Sequence, residues 1–161
     1  LQEALPKLEA LPHDCIWHFI GKLQSNKARR AAETFSVIHT LEKDSQLHEI
    51  SKAANIVEGL IEINSGEEAQ KSGILASALD EFQKSVLQCR QVHLRGLMTV
   101  GPAHQNPEEM RPYFQHLRRL RDEAIPEGWL SMGMSSDYEV AIQEGATHVR
   151  IGSAIFGPRQ G

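Results

Sequence analysis

The sequence predicts an α/β protein whose parallel strands curve into most of a (β/α)8 TIM barrel. Six short apolar segments alternate with helical ones, the rhythm of βαβ units on a parallel sheet. Small and polar residues recur where those strands end, at Gly21, His39–Thr40, Asn64, Thr99, Ser131–Ser135 and Gly152–Ser153. Such recurrence is expected when many strands deliver side chains to one rim. Six strands also permit a doubly wound sheet, but the repeated rim residues favour the barrel. A complete barrel takes roughly 250 residues. A chain of 161 residues is therefore expected to lack about the first two βα units.

A starting helix over residues 1–11 precedes the first strand, Cys15 to Gly21, and Leu23 to Ala32 has helical composition. Phe35 to Leu41 is the second strand. Asp44 is expected to cap the next helix, with Leu47, Ile50 and Ala54 on one face. Asn55 to Asn64 is the third strand, followed by the polar loop Ser65 to Gly73. Leu75, Leu79, Phe82 and Val86 then form a helix stripe. His93 to Gly101 is the fourth strand, and Pro102 to Gln105 a loop. Asn106-Pro107-Glu108-Glu109 supplies a cap, a proline at the first helical position and an acidic first turn. Met110, Phe114, Leu117 and Leu120 make that helix's inner face, and Pro112 falls early enough to be tolerated. Trp129 to Met132 is the fifth strand. Ser136 and Glu139 suggest a capping box, Gly145 a helix stop, and His148 to Ile151 the sixth strand.

Bulk properties narrow the function classes. Forty per cent of the residues are hydrophobic and 24% charged, which is enough to bury a core as one domain over residues 1–161. The net charge of −4 disfavours a nucleic-acid partner; the basic cluster Lys22, Lys27, Arg29, Arg30 reads as a solvated helix. Two isolated cysteines, Cys15 and Cys89, fit a reducing, cytoplasmic setting. The eight histidines show no metal-ligand spacing. No apolar run approaches the roughly eighteen residues of a membrane span. The leucine at position 1 suggests a natural chain that begins further upstream.

Chemistry concentrates between Leu130 and Gly157. Two strands there run into serine- and glycine-rich turns, which present amides and hydroxyls to one small anion, most naturally a phosphate. Arg150 sits at the second strand's end, where a permanently charged guanidinium serves either an anion or a ring nitrogen. Gly152 permits close approach, and Ser153 offers an amide and a hydroxyl. A surface arginine beside a simple turn is the plainer alternative. Lys71, in the loop from Asn64 to Gly73, is placed to reach across the rim or to be merely solvated. His18 alternates with Trp17 and Phe19, which makes it a core or supporting histidine if its face points inward; His39 is similar. Met98, Met132 and Met134 read either as one apolar wall against a flat ring or as ordinary core. Glu62, Glu67 and Glu68 are the carboxylates near strand ends, and no GxSxG, Walker or GxGxxG motif is present.

Taken in order, WHFIGKLQSNKAR, EINSGEEAQKSG, RGLMTVG, LSMGMSSDYEVAIQEGATHVRIG and AIFG resemble the YggS/PROSC family of pyridoxal 5′-phosphate (PLP)-binding proteins, the PLP homeostasis proteins. The resemblance runs essentially from Leu1 onward. It implies a barrel of the alanine racemase N-terminal domain type that holds PLP as a Schiff base. It further implies a monomer acting in PLP and vitamin B6 homeostasis, delivering cofactor to PLP-dependent apoenzymes without catalytic turnover. An amino-acid racemase-like enzyme of the same fold is the alternative.

The resemblance gives Arg150 the place facing the pyridine nitrogen, where an arginine disfavours ring protonation. It makes Ser135, Gly152 and Ser153, with the backbone at Met134, the phosphate clamp, and Ser131 is a further cofactor-binding candidate on the same rim. Ile20 and the strand around His18 line the ring pocket, and Asn64 and Lys71 stand near its open side. Related racemases place a tyrosine from a partner subunit as the second base; Tyr113 and Tyr138 are the only tyrosines here and neither is at a strand end, so nothing supports two-base racemisation. The family's Schiff-base lysine precedes the point matching Leu1, and no lysine here replaces it by position. Six strands without the first two would leave apolar edges exposed, so a complementing N-terminal segment is expected.

Overall fold

The computed structural model describes residues 2, 4–11, 14–66, 68, 70–102 and 106–157. Six strands pair in parallel and in sequence order: β1 (His18–Phe19), β2 (Val37–Leu41), β3 (Val57–Glu62), β4 (Val92–Met98), β5 (Trp129–Met134) and β6 (His148–Arg150). Helix α1 (Leu5–Ala10) precedes them. The crossovers are α2 (Ser25–Thr34), α3 (Asp44–Ile50), α4 (Leu79–Gln88), α5 (Arg111–Ala124) and α6 (Tyr138–Gln143), and α7 (Ser153–Phe156) follows β6. An unbroken order without a reversal point is that of a barrel, not of a doubly wound sheet. The sheet is open, with β1 and β6 at its edges. It nevertheless curls until the rings of His18 and His148 lie 5.8 Å apart across its concave side. This is an incomplete (β/α)8 barrel, two units short.

The two faces of the sheet differ in chemistry. Ile38, Leu41, Ile61, Leu97, Leu130 and Met132 face outward and bury against helix residues including Leu47, Phe82, Phe114, Leu117 and Val140. Ala28, Ala31 and Ala32 are almost fully buried, and their small side chains let α2 lie close. The concave face has a small apolar floor of Val37, Leu60 and Met98, against which Trp129 packs. Above that floor it carries His18, His39, Glu62, Ser131 and Arg150. The helices thus hold the fold from outside by apolar burial, and the inner face is left for polar groups.

Element boundaries depart from the sequence reading for local reasons. Only His18–Phe19 of the segment 15–21 pairs, because β1 has a single neighbour; Ile16 is 72% exposed. Asp44 is the first helical residue of α3, not its cap. The cap is Lys43, whose N–H donates to Gln46 Oε1 (3.1 Å). Ala53, not Ala54, completes that apolar face. Leu75 stands 49% exposed ahead of a 3-10 turn, so the α4 stripe begins at Leu79. Asn106 caps as expected, its Oδ1 accepting from Glu108 N–H, but a 3-10 turn intervenes before α5. The Ser136 capping box does not form: Asp137 precedes α6, and its Oδ1 accepts the Met134 N–H (2.6 Å).

Candidate functional site

Side chains from four strands meet on the concave face in one continuous chain. Arg150, on β6, donates from Nη1 to Ser131 Oγ (2.9 Å) and from Nη2 to the Thr99 carbonyl (2.8 Å). Ser131, on β5 and fully buried, lies 2.8 Å from His39 Nδ1 on β2. His39 Nε2 lies 2.8 Å from His18 Nδ1 on β1. The His148 ring closes the group, 5.8 Å from His18 and 6.1 Å from His39, and packs 4.6 Å from Trp129. Arg95 covers the other contact of that indole at 4.5 Å and pairs with Glu58 (3.0 Å) below.

Burial sets the charges of these groups. His39 is 2% exposed, and burial pushes its pKa from 6.5 down to about 3, with His18, Arg150 and His148 adding to the effect. Burial also lowers His18 and His148, the latter with help from His18. Arg150 is lowered by burial from a value so high that it stays charged. It is the fixed cation of the concave face.

The end of β3 forms the facing wall. Glu62 is 5% exposed, and burial, then Glu42, raises its pKa from 4.5 to about 7 against the opposing pull of Arg150 and Lys22. Glu42 accepts the Gly73 N–H (2.6 Å) and pairs with Lys43. Asn64 Nδ2 donates to the Glu68 carbonyl (2.8 Å), while its buried Oδ1 has no partner among the described residues. Thr99 Oγ1 donates to the Ile63 carbonyl and lies 2.8 Å from Ser65 Oγ, so the β3 and β4 ends are tied to the backbone that holds Arg150.

A clamp of backbone donors lies at the rim. Gly133 has φ +92°, and a Cβ there would meet Ala141 Cβ at 2.5 Å, so glycine is required where β5 turns into the Ser135 loop. Ser135 Oγ then accepts from both Gly152 N–H (3.2 Å) and Ala154 N–H (3.3 Å). Neither the N–H nor the hydroxyl of Ser153 has a partner among the described residues. A Cβ on Gly152 would meet nothing within 4 Å, so this corner is open. Behind it, Arg111 of α5 holds Glu144 just after α6 (2.7 Å), which fixes the helix that follows the Ser135 turn.

The expected residues fall into two groups. Arg150 and Ser131 are bonded to each other, and Ser135, Gly152 and Ser153 form the rim beside them. Both backbone groups of Met134 are engaged with Asp137, so its own amide is not a free donor, and its side chain is 39% exposed. Met98 and Met132 lie on opposite faces of the sheet, so the three methionines do not form one wall. Ile20 is 50% exposed just beyond β1, and Lys71 pairs with Glu68 (2.7 Å), away from the Arg150 chain. Glu67 and the loop residues 103–105 lie outside the described residues. Tyr113 and Tyr138 lie on helices α5 and α6. No lysine occurs in any of the six strands. The imidazole cluster was readable only in part: alternation turns His18 opposite to Trp17 and Phe19, and the same rule puts His148 beside Arg150.

No helix among the described residues is long and apolar enough to cross a membrane, and no three His, Cys, Asp or Glu side chains among them are grouped to hold a metal ion. The sequence profile of the alanine racemase N-terminal domain matches residues 1–160. A pyridoxal phosphate homeostasis protein of Aquifex aeolicus is 47% identical across 99% of the chain and 75% of that protein. One from Schizosaccharomyces pombe is 37% identical over 99% and 72%. The chain therefore spans about three quarters of the length of these curated relatives. PipY of Synechococcus elongatus, solved with PLP bound, superposes with a TM-score of 0.82 at 33% identity, covering 97% of this chain and 78% of PipY. Alanine racemase of Bacillus anthracis shares the fold at 19% identity and a TM-score of 0.71, over 100% of this chain and 43% of the racemase. The chain belongs to the pyridoxal phosphate homeostasis proteins, within the alanine racemase N-terminal domain family.

Proposed function

We propose that this chain binds pyridoxal 5′-phosphate on the concave face of its sheet and serves cofactor homeostasis, carrying PLP without turning over a substrate. The observation that carries this reading is the half-buried Arg150, fixed by two hydrogen bonds two residues before an open clamp of backbone amides. That pairing suits a flat ring bearing a phosphate: a cation at the ring edge, amides at the dianion. The fit is good at the phosphate end. Gly152 leaves space, Ser153 has an unengaged amide and hydroxyl, and the Gly152 and Ala154 amides are held by a hydroxyl that an anion can displace.

When bound, the cofactor supplies an aldehyde and an electron-accepting pyridine ring. Arg150 donates toward the ring nitrogen and, being a permanent cation, keeps a proton off it. Ser135 and the α7 amides orient the phosphate. Trp129, Met98 and Leu60 shield the floor of the site from water. Arg150, Ser135 and the α7 amides hold the cofactor by non-covalent contacts. The naming of the relatives as homeostasis proteins supports a carrier over a racemase. Recipient apoenzymes, a monomeric state, a cytoplasmic setting and a single domain over residues 1–161 complete the proposal.

Fluorescence titration with PLP, pyridoxal and inorganic phosphate tests it. Saturable binding of PLP, at least tenfold tighter than either fragment, is expected. Equal affinity for PLP and inorganic phosphate would leave only a phosphate site, and saturable racemisation of free alanine or serine would replace the carrier with an enzyme.

A further inference from the structure

We infer that Arg150 sets a single direction for the hydrogen bonds behind it: Ser131 donates to His39 Nδ1, and His39 donates from Nε2 to His18 Nδ1, which makes His39 a positioning residue for the guanidinium. The inference follows from counting protons. A guanidinium can only donate, so Ser131 Oγ accepts from Arg150 Nη1. Ser131 is fully buried, and its only other polar neighbour among the described residues is His39 Nδ1. If His39 carried its proton on Nδ1, the serine hydroxyl hydrogen would be buried without an acceptor. Such a hydrogen is rarely left unpaired. Ser131 must therefore donate, and His39 Nδ1 must be bare.

The rest of the chain follows. With Nδ1 bare, His39 carries hydrogen on Nε2, 2.8 Å from His18 Nδ1, so that nitrogen accepts and His18 holds its proton on Nε2. Neither imidazole can take a second proton without reversing a bond. A proton on His18 Nδ1 would point at the His39 hydrogen, and one on His39 Nδ1 would strand the serine. The charged and titratable groups facing this chain are Arg150, His148, Glu62 and Asp137. Arg150 is the permanent cation among them. The consequence is mechanical as well as electrostatic: His39 fixes the rotation of Ser131, and Ser131 with the Thr99 carbonyl fixes the plane of the guanidinium. This inference is independent of the cofactor reading, because it concerns the chain without ligand.

Long-range ¹⁵N–¹H correlation on the ¹⁵N-histidine-labelled chain tests it, with His18→Gln and His39→Gln supplying assignments. At pH 7 His39 and His18 are expected as neutral rings protonated on Nε2 alone, and His39 is expected to remain so at pH 5.5. Ser131→Ala should release His39 into a mixture of tautomers, and Ser131→Thr should restore the single form. The Arg150 Nη protons, resolved from one another in the wild type, should average in His39→Leu. Protonation of His39 on Nδ1, or a doubly protonated His39 ring at pH 5.5, would overturn the inference. Through-bond correlation of each ring to its own backbone assigns the wild-type spectrum if a variant does not fold, and that spectrum then decides.

Discussion

On the wall built by β1, β2, β5 and β6, Arg150, Ser131, His39 and His18 are linked end to end. On the wall at the end of β3, the Glu62 carboxylate makes no hydrogen bond or ion pair, and Asn64 Oδ1 is buried without a partner, among the described residues. Both walls are polar and mostly buried, so burial alone does not distinguish them. What differs is satisfaction. A fully bonded buried network fixes one geometry, whereas a half-satisfied one carries a standing desolvation cost that a ligand or a proton can relieve. The first wall is preorganised to hold the ring edge of a cofactor; the second is the side on which the protein's charge state responds to pH.

Acid should expose the first wall most strongly. Unfolded His39 titrates near 6.5 and folded His39 near 3. Between those values the unfolded chain binds the extra proton, so stability falls as pH drops, by up to about tenfold in the folding constant per pH unit. Urea midpoints between pH 7 and 4 measure this slope, and His39→Gln should flatten it. An unchanged slope would mean that the imidazole chain does not control acid stability.

Next in size is Arg150→Ala. Loss of charged hydrogen bonds worth about 1.5–3 kcal/mol should weaken PLP binding on the order of tenfold to a hundredfold. Affinity within twofold of wild type would detach the guanidinium from the ligand altogether.

Glu62 sharpens the contrast because its sign is opposite. Its folded pKa of about 7 lies above the ordinary 4.5, so the folded chain holds the extra proton between those values, and stability falls as pH rises through them. Glu62→Gln should match wild type at pH 4 and exceed it at pH 8 by on the order of 1–3 kcal/mol. Chemical denaturation at the two pH values checks this; equal stability at both would show that the carboxyl is relieved by a group on the chain itself.

The smallest effect belongs to the rim. Ser135→Ala removes one acceptor from two amides, and a thermal scan should record a loss of about 0.5–1.5 kcal/mol. Saturating inorganic phosphate should recover part of that loss if an anion takes the vacated place.

Much of this contrast was hidden in the sequence, although the fold was not. The barrel rhythm, the Asn106 cap and the helix stop at Gly145 are local signals, set by residues within a turn of one another, and they were legible. The adjacency of Ser135 to Gly152 was legible too, because successive βα units deliver neighbouring loops. The Ser136 cap was misread because Asp137 turns back to the Met134 amide, a choice between two equally suitable side chains. The His39–Ser131 contact spans 92 positions. It depends on how far the sheet curls and on the β5–β6 register shift between Ser131 and Met134, neither of which any short pattern encodes. The unpartnered Asn64 oxygen is likewise a property of packing, not of residue type.

A crystal structure of the chain with pyridoxal 5′-phosphate tests the central claim most directly. The account predicts phosphate oxygens within hydrogen-bond distance of the Gly152 and Ala154 amides, Ser135 turned aside or bridging, and the ring nitrogen facing Arg150. Cofactor seated on the helical side of the sheet, or a ring whose nitrogen points toward Glu62 while Arg150 stays on Ser131 and Thr99 alone, would contradict it.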